Sequence, residues 1–520
     1  MMRWNSNKLL TVVAWATLLF TGCGGGESPD PPAIIDASAL PELPQTVNQG
    51  EFPRGAPRAP VDVRIALVGE VRGELEPCGC PTLPYGGFTR RAVKLKELRE
   101  AGPLFHLDAG ELLLKGFSTD RSRDEKTRTD AMLRLSNEVG VDLWVPGPTD
   151  LIAIGPTKLR DIHGPRRISA SWQNAAGTAL LPPSAILQKG GIRLGVIGLS
   201  APIQDPDIRK EVITIDPVVA AKKALADLPD DLDLVIGLGN ISDEAAERVV
   251  SEVEGLSALL KIRSGQYNEP TPSTLTDAST PPVLEAPDRG RYLQVFTFRA
   301  AGNPDRPALV YPEARLWRER AISGDDTPFE ELGSGRNLVG VATIPLSKDL
   351  DGGQIGHQRV DAALDRFKTQ SLNAAALRAK KAPAQNDPHY ASSGGCVHCH
   401  SSEFARWSLS GHAQAWMALV TREETKNPEC LSCHTTAWGE PSGLGELSAS
   451  GIRKFKGVQC EACHGPMGGH PDDGRVRPQP IQEATCLTCH DEANSPDFEF
   501  VSYLRQASCQ GGSPMPGVAP

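Results

Sequence analysis

Between residues 61 and 320, short apolar runs alternate with longer stretches in which apolar residues recur every three or four positions. Val63–Val68, Leu104–Leu107, Val141–Val145, Arg193–Ile197, Leu232–Ile236 and Tyr292–Phe298 have the length and composition of strands. Thr89–Glu100, Arg123–Val139, Val218–Asp227 and Asp243–Val253 carry the helical period. Strands that alternate with helices in this way predict an α/β unit. The Pro- and Thr-rich stretch Asn268–Gly290 reads as a long excursion. A further amphipathic helix is predicted over 359–380, where Val360, Leu364 and Phe367 share a face and an Ala-rich run succeeds them. It is either a connector that packs the α/β unit against the C-terminal part of the chain or an ordinary surface helix.

The pattern breaks down at both ends. Arg3 and Lys8 precede the apolar run Leu9–Phe20, which ends in Thr21-Gly22-Cys23. A basic start, a short apolar core and small residues before a cleavage point make a secretory signal, and the run is too short to span a bilayer comfortably. Residues 24–60 are rich in Gly, Pro and Ser with no apolar period, as expected of a disordered tether reaching on the order of 30 Å. Lys380 through His389 reads as a linker. From residue 390 to 505 apolar side chains are too few for an ordinary core of that length.

Composition narrows the function classes. The 520-residue chain is long enough for two or three domains. Its net charge is −10 with no basic block, which argues against nucleic acid as a partner. With 51 Gly, 44 Pro and 5% aromatic residues, loops are abundant.

The 12 cysteines carry the chemistry. Eight fall in one five-residue word written four times: Cys396-Val-His-Cys399-His400, Cys430-Leu-Ser-Cys433-His434, Cys460-Glu-Ala-Cys463-His464 and Cys486-Leu-Thr-Cys489-His490. Cys-x-x-Cys-His is the attachment signal for c-type haem. Two thiols two residues apart each form a thioether with one vinyl group, and the next histidine falls beneath the ring to ligate iron. Zinc ribbons also use Cys-x-x-Cys pairs, but zinc does not require the histidine that comes directly after every pair here. The expected cofactors are therefore four covalently attached haem c groups, with His400, His434, His464 and His490 as proximal ligands. The porphyrins would supply the missing apolar surface, so the apo-region should not fold well. The short spacing between words forces the haems close together, as an electron-transfer wire requires. Haem attachment normally takes place outside the cytoplasm, in agreement with the N-terminal signal.

Residues 390–505 resemble the tetrahaem cytochromes c that take electrons from hydroxylamine oxidation. Beyond the words, the matching text is Trp407-Ser-Leu-Ser-Gly-His412-Ala-Gln-Ala, Pro428-Glu-Cys430, Val458-Gln-Cys460 with His464-Gly-Pro, His470, and Ser495-Pro-Asp-Phe498. The resemblance implies a mostly α, loop-rich multihaem domain, with His412 and His470 at distal-ligand positions. His398 and His389 are further distal candidates. Where the family supplies another histidine near the C-terminus, this chain has Ser508-Cys509. With too few distal histidines, one iron would be five-coordinate and open to nitric oxide, nitrite, hydroxylamine or peroxide. At the other end, Phe-Thr-Gly-Cys23 resembles a bacterial lipobox, which implies a lipid anchor on Cys23 and an outer-membrane or periplasmic location.

The α/β region resembles the calcineurin-like metallophosphatases, in particular the periplasmic 5′-nucleotidase branch. The matching pieces are Leu75-Glu-Pro-Cys78, Gly86-Gly-Phe-Thr-Arg-Arg91, Leu107-Asp-Ala-Gly110 and Asp233-Leu-Val-Ile-Gly. The resemblance implies a four-layer α/β sandwich. That family builds a two-metal site from Asp-x-His, Gly-Asp, Gly-Asn-His-Glu and later histidines. This chain has Glu70-Val-Arg72, Gly110-Glu111, Gly147-Pro-Thr-Asp150, Leu238-Gly-Asn240 and Lys261-Ile-Arg263-Ser264 in those places. Glu70, Glu111 and Asp150 alone can hold a hard cation only weakly, so a non-hydrolytic scaffold is expected. Cys78-Gly-Cys80 sits where that family places its active site. It is a structural pair, a redox-active dithiol or a metal or haem contact.

The expected organisation is a lipoprotein signal (1–23), a tether (24–60), the metallophosphatase-like domain (61–345), a helical connector (346–388), the tetrahaem domain (389–508) and a tail (509–520). Three functions compete. One is an extracytoplasmic, lipid-anchored electron-transfer protein with redox partner proteins, and another is a haem oxidoreductase working at an open iron. The third, a phosphoesterase fused to a cytochrome, requires metal ligands that are missing.

Overall fold

The apolar runs pair into two five-stranded sheets. The first has the order β12 (Leu338–Pro345), β11 (Tyr292–Gly302), β1 (Arg58–Val68), β2 (Leu104–Asp108), β3 (Leu143–Trp144). β1, β2 and β3 are parallel, and β11 runs antiparallel to both β1 and β12. The second has the order β10 (Val283–Ala286), β9 (Ala258–Ile262), β8 (Leu234–Gly239), β6 (Ile192–Leu199), β5 (Ser184–Lys189), parallel except for the β5–β6 hairpin. A third, two-stranded sheet joins β4 (Trp172–Asn174) to β7 (Val212–Thr214). These assignments come from a computed structural model, which describes residues 58–77, 85–114, 125–263, 281–302, 338–351, 358–381, 387–491, 494–495 and 497–507.

Side-chain alternation explains why the strands read as unbroken apolar runs. On β1, Val63, Ile65 and Leu67 face the second sheet, while Ala66 and Val68 face helices. On β6, Leu194 and Val196 face the first sheet, and Ile197 and Leu199 face outward under helices. Three apolar layers result. One lies between the sheets. The second lies between the first sheet and helices α1 (Phe88–Glu100) and α2 (Glu125–Glu138). The third lies between the second sheet and helices α4 (Pro217–Ala226) and α5 (Asp243–Glu252). This is the four-layer α/β sandwich. Each fully buried aliphatic side chain contributes about 1.5–3 kcal/mol toward holding these layers together. Asp216 caps α4 and Ser242 caps α5, each accepting from main-chain N–H groups of the first turn.

Helix α6 (Gln358–Ala379) has two jobs along its length. Val360, Ala363, Leu364 and Phe367 complete the layer over α1 and α2. Its Ala-rich end then lies flush against the 437–445 loop. A Cβ on Gly445 would stand 2.3 Å from Ala379 Cβ, so larger residues on either side would push the two apart.

Beyond α6 the chain forms short helices: Ser393–Cys396, Ser401–Trp407, Gly411–Thr421, Pro428–His434, Ala449–Phe455, Cys460–His464, Glu483–Leu487 and Phe500–Ala507. The buried apolar side chains in this region are few: Trp416, Leu419, Leu431, Leu444, Phe455 and Val476.

Several elements differ from expectation. β1 begins at Arg58, inside the stretch expected to be tether. β10 lies inside the expected excursion, because pairing with β9 gives its main-chain groups partners that local sequence does not reveal. β4, β5, β7, β9, β12 and the helix α3 (Pro148–Ile154) were not anticipated. β5 alternates half-buried and buried positions at the sheet edge, so it lacks a continuous apolar run. The expected signal and anchor at residues 1–23 with Cys23, the pair Cys78 and Cys80, and Cys509 lie outside the described residues.

Candidate functional sites

The loops after β1, β2, β3 and β8 meet at one edge of the sandwich and bring together the positions compared with a metal site. Glu70 N–H donates to Gly110 O at 2.6 Å, Arg72 N–H to Glu111 O at 2.9 Å and Gly73 N–H to Leu112 O at 2.8 Å. Glu70, Arg72 and Glu111 all take positive φ (52°, 50° and 55°), a strained choice for non-glycine residues. Gly110 has φ 105°, and a Cβ there would lie 2.3 Å from Val145 O, so no other residue fits.

Most of the side chains here are occupied by the protein itself. Asp150 accepts from the N–H groups of Leu112 (2.9 Å), Leu113 (2.8 Å) and Gly147 (2.8 Å). Thr149 Oγ1 donates to Glu111, and Arg72 pairs with Glu70. Asn240 donates to Ala109 O (2.9 Å) and Val145 O (3.2 Å) and accepts from Ala201 N–H (2.7 Å), stitching three strand ends. Lys261 is wholly buried and bridges Asp243 (2.9 Å) and Glu285 (3.2 Å). Burial raises Glu111 to about 8, with the Asp150 charge adding to it, and raises Asp150 despite its main-chain donors. Asp108, also buried, is pushed up to about 7. Its Oδ2 has no hydrogen-bond partner, and neither do Nε and Nη1 of the buried Arg91. Among the described residues, no group of three or more His, Cys, Asp or Glu is arranged to hold a metal.

The C-terminal words are arranged differently. Each lies on a helical turn: His400 N–H donates to Cys396 O (2.9 Å) and His490 N–H to Cys486 O (2.8 Å), while words two and three lie within Pro428–His434 and Cys460–His464. Both thiols and the histidine of a word thus leave neighbouring positions of one turn. The words also meet. Cys396 of word one adjoins Cys460 of word three, and Cys489 of word four adjoins both Cys433 of word two and Cys463 of word three. Hydrogen bonding to Cys433, then burial, holds the Cys489 thiol well above its ordinary range.

The histidines have distinct surroundings. His434 Nδ1 contacts Ala415 O at 2.6 Å and His490 Nδ1 contacts Ser495 Oγ at 2.8 Å. In either case a proton on Nδ1 leaves Nε2 as the ring's free lone pair. The His490 ring stacks on Phe498 at 5.5 Å and meets Tyr503 edge-on at 5.2 Å. His464 Nδ1 is buried without a partner. Of the further candidates, His412 lies 6.1 Å from His490, ring centre to ring centre. Burial and the neighbouring His490 lower His412, and burial lowers His490, so both favour the neutral, ligating form. His470 Nδ1 contacts Val476 O at 3.2 Å. The His389 ring rests on Gly468, and His398 and His400 are exposed.

Contacts also tie the second word to the α/β region. Asn427, which caps its helix, donates to Glu76 Oε2 at 2.7 Å, and Glu76 pairs with Lys368 of α6 at 2.5 Å. Burial raises the Glu76 pKa, against the pull of Lys368. Glu429 pairs with Arg128 of α2, which also donates to Gly73 O (2.9 Å) and lies over the Phe367 ring. None of these contacts was found from sequence, because each joins residues far apart in the chain. Glu461 and Gln459 were missed as well, although they flank Cys460 of the third word.

With this geometry in view, residues 395–465 match the family model described as cytochrome c554 and c-prime. The cytochrome c-554 of Nitrosomonas europaea is 24% identical over 141 residues, which is 24% of this chain and 59% of that protein. The chain thus spans under two thirds of the length of the curated relative it matches. The α/β region is similar to solved phosphoesterase structures. A 5′-nucleotidase precursor from Thermus thermophilus aligns at TM-score 0.43 and 16% identity over 60% of this chain and 59% of that one. A calcineurin-like phosphoesterase from Bacillus subtilis aligns at TM-score 0.40 and 14% identity over 60% and 98%.

Proposed function

We propose that residues 389–508 form a tetrahaem c-type cytochrome unit that relays electrons outside the cytoplasm. In this reading the chain is exported, held to a membrane by a lipid on Cys23, and exchanges electrons with partner proteins. The α/β region is a non-hydrolytic scaffold that holds the unit from the second word. The observation that carries the reading is the set of four Cys-x-x-Cys-His words, each on a helical turn and gathered so that cysteines of different words adjoin. The match of residues 395–465 to a cytochrome family supports haem c as the group these words take.

The residues present fit a large apolar group. Leu409 (89% exposed), Met417, Val420 and Leu487 stand exposed around the words, and the buried apolar set is small for the region's length. When bound, haem c supplies a one-electron couple at its iron. His434, with Nδ1 at Ala415 O, and His490, with Nδ1 at Ser495 Oγ, would each present Nε2 as a proximal ligand in a fixed ring orientation. His400 and His464 take the same role in their words. His412, His470, His398 and His389 are the distal candidates.

Haem content by alkaline pyridine spectra, with the mass of the intact chain, tests the reading; four covalent haems and a low-spin reduced-minus-oxidised spectrum are expected. Absence of covalent haem refutes it. A high-spin signal that shifts on adding nitric oxide would assign catalysis at an open iron instead. Nucleotidase activity with added divalent metals would overturn the scaffold role.

A further inference from the structure

Glu461 is the second residue of the third word and is only 2% exposed. Its neighbour Cys460 meets Cys396 of the first word. The Glu461 carboxylate accepts three main-chain N–H groups: Ala391 (2.8 Å) and Met467 (2.8 Å) on Oε1, and Ser392 (2.7 Å) on Oε2. Ala391 and Ser392 lead directly into the helix of the first word, and Ser392 takes φ 73°, strained for a residue with a Cβ. Gln459 repeats the pattern on the other side of Cys460. Its Oε1 accepts from Ser393 N–H (2.8 Å), and its Nε2 donates to Lys454 O (2.9 Å) and Lys456 O (3.1 Å). Two side chains flanking Cys460 therefore hold Ala391, Ser392 and Ser393, the three residues that lead toward the first word.

Among the described residues, Glu461 forms no ion pair. Its charge is met by main-chain amides, which fix its position without cancelling it. In a water-poor interior a fixed negative charge favours the more positive state of any redox centre beside it.

We propose that Glu461 is a positioning residue that locks the first and third words together and biases the two irons those words would carry toward the oxidised state. This rests on the reading of the four words as haem sites. It adds a role for a residue that neither binds haem nor ligates iron, and the role acts first on words one and three, which Glu461 ties together.

The test uses the haem-loaded full chain and two variants. Glu461→Gln keeps the shape and removes the charge. In a spectroelectrochemical titration, two of the four couples should then hold about tenfold more reduced iron at a fixed potential, about 59 mV for one electron. The other two should stay within about threefold. Gln459→Ala removes a tie without changing charge. It should alter the magnetic interaction between two irons in electron paramagnetic resonance and leave the potentials in place. A loaded Glu461→Gln protein whose four couples are unmoved, or move alike, overturns the proposal. So does Gln459→Ala with a spectrum identical to the parent's, and that variant alone decides the matter if Glu461→Gln emerges without haem. Absence of haem from the parent would instead refute the reading on which the proposal rests.

Discussion

The strand-end edge of the sandwich and the C-terminal words each gather chemistry-bearing side chains, and they satisfy them in opposite ways. At the strand ends, Asp150 takes three main-chain donors, Glu111 takes Thr149, Glu70 takes Arg72 and Asn240 joins three strand ends. In the words, thiols meet other thiols and His464 Nδ1 meets nothing. Apart from Asp108 Oδ2, which has no hydrogen-bond partner, the first arrangement closes on itself above dense apolar layers. The second has few buried apolar side chains and groups that call for an external partner.

The largest effect that would sharpen this contrast comes from Cys460→Ala with Cys463→Ala. Haem content should fall by about a quarter, and cooperative melting of the C-terminal region should be lost while far-ultraviolet dichroism of the α/β region persists. Undiminished haem would break the comparison.

Next is Arg128→Ala. It leaves the nearly buried Glu429 without its cation, at a cost of about 3 kcal/mol by analogy with other buried pairs. Melts followed in the haem band and in the far ultraviolet should then lie further apart than in the parent.

A smaller, pH-dependent effect is expected at the strand ends. The folded pKa of Glu111 is raised to about 8, so the folded state holds this proton more tightly than the unfolded chain does. The associated stability is complete below the ordinary carboxylate range and is lost as pH rises toward about 8. Glu111→Gln should match the parent near pH 4 and exceed it above pH 8 by up to about 5 kcal/mol in urea titrations. Equal midpoints at both pH values would show that Glu111 shares its charge freely with solvent.

The smallest effect is expected for Lys380→Ala. Its partner Glu446 is exposed, and solvent screens the pair. The melting midpoint should not move.

Much of this was legible without a structure. Val63–Val68 and Arg193–Ile197 announced themselves because strands buried on both faces leave no polar alternation. Val360, Leu364 and Phe367 revealed the inward face of α6 through their spacing. β10 and β5 stayed hidden because their partners, rather than their own residues, make them strands. The candidate haem words were visible in full, whereas Glu461 and Gln459 were not. A Glu beside a Cys looks the same whether it points to water or clamps a distant turn.

By itself the sequence determined the local chemistry: which thiols and histidines share a turn, and which segments are apolar enough to be buried. Both follow from bonded spacing and side-chain type, which do not depend on the rest of the chain. Only the tertiary structure decided which words adjoin, that Asn427 and Glu429 anchor the second word to the α/β region, and that the strand-end carboxylates are already occupied. Those outcomes depend on main-chain groups brought together from dozens or hundreds of residues away, and a donor without its acceptor carries no mark in the sequence.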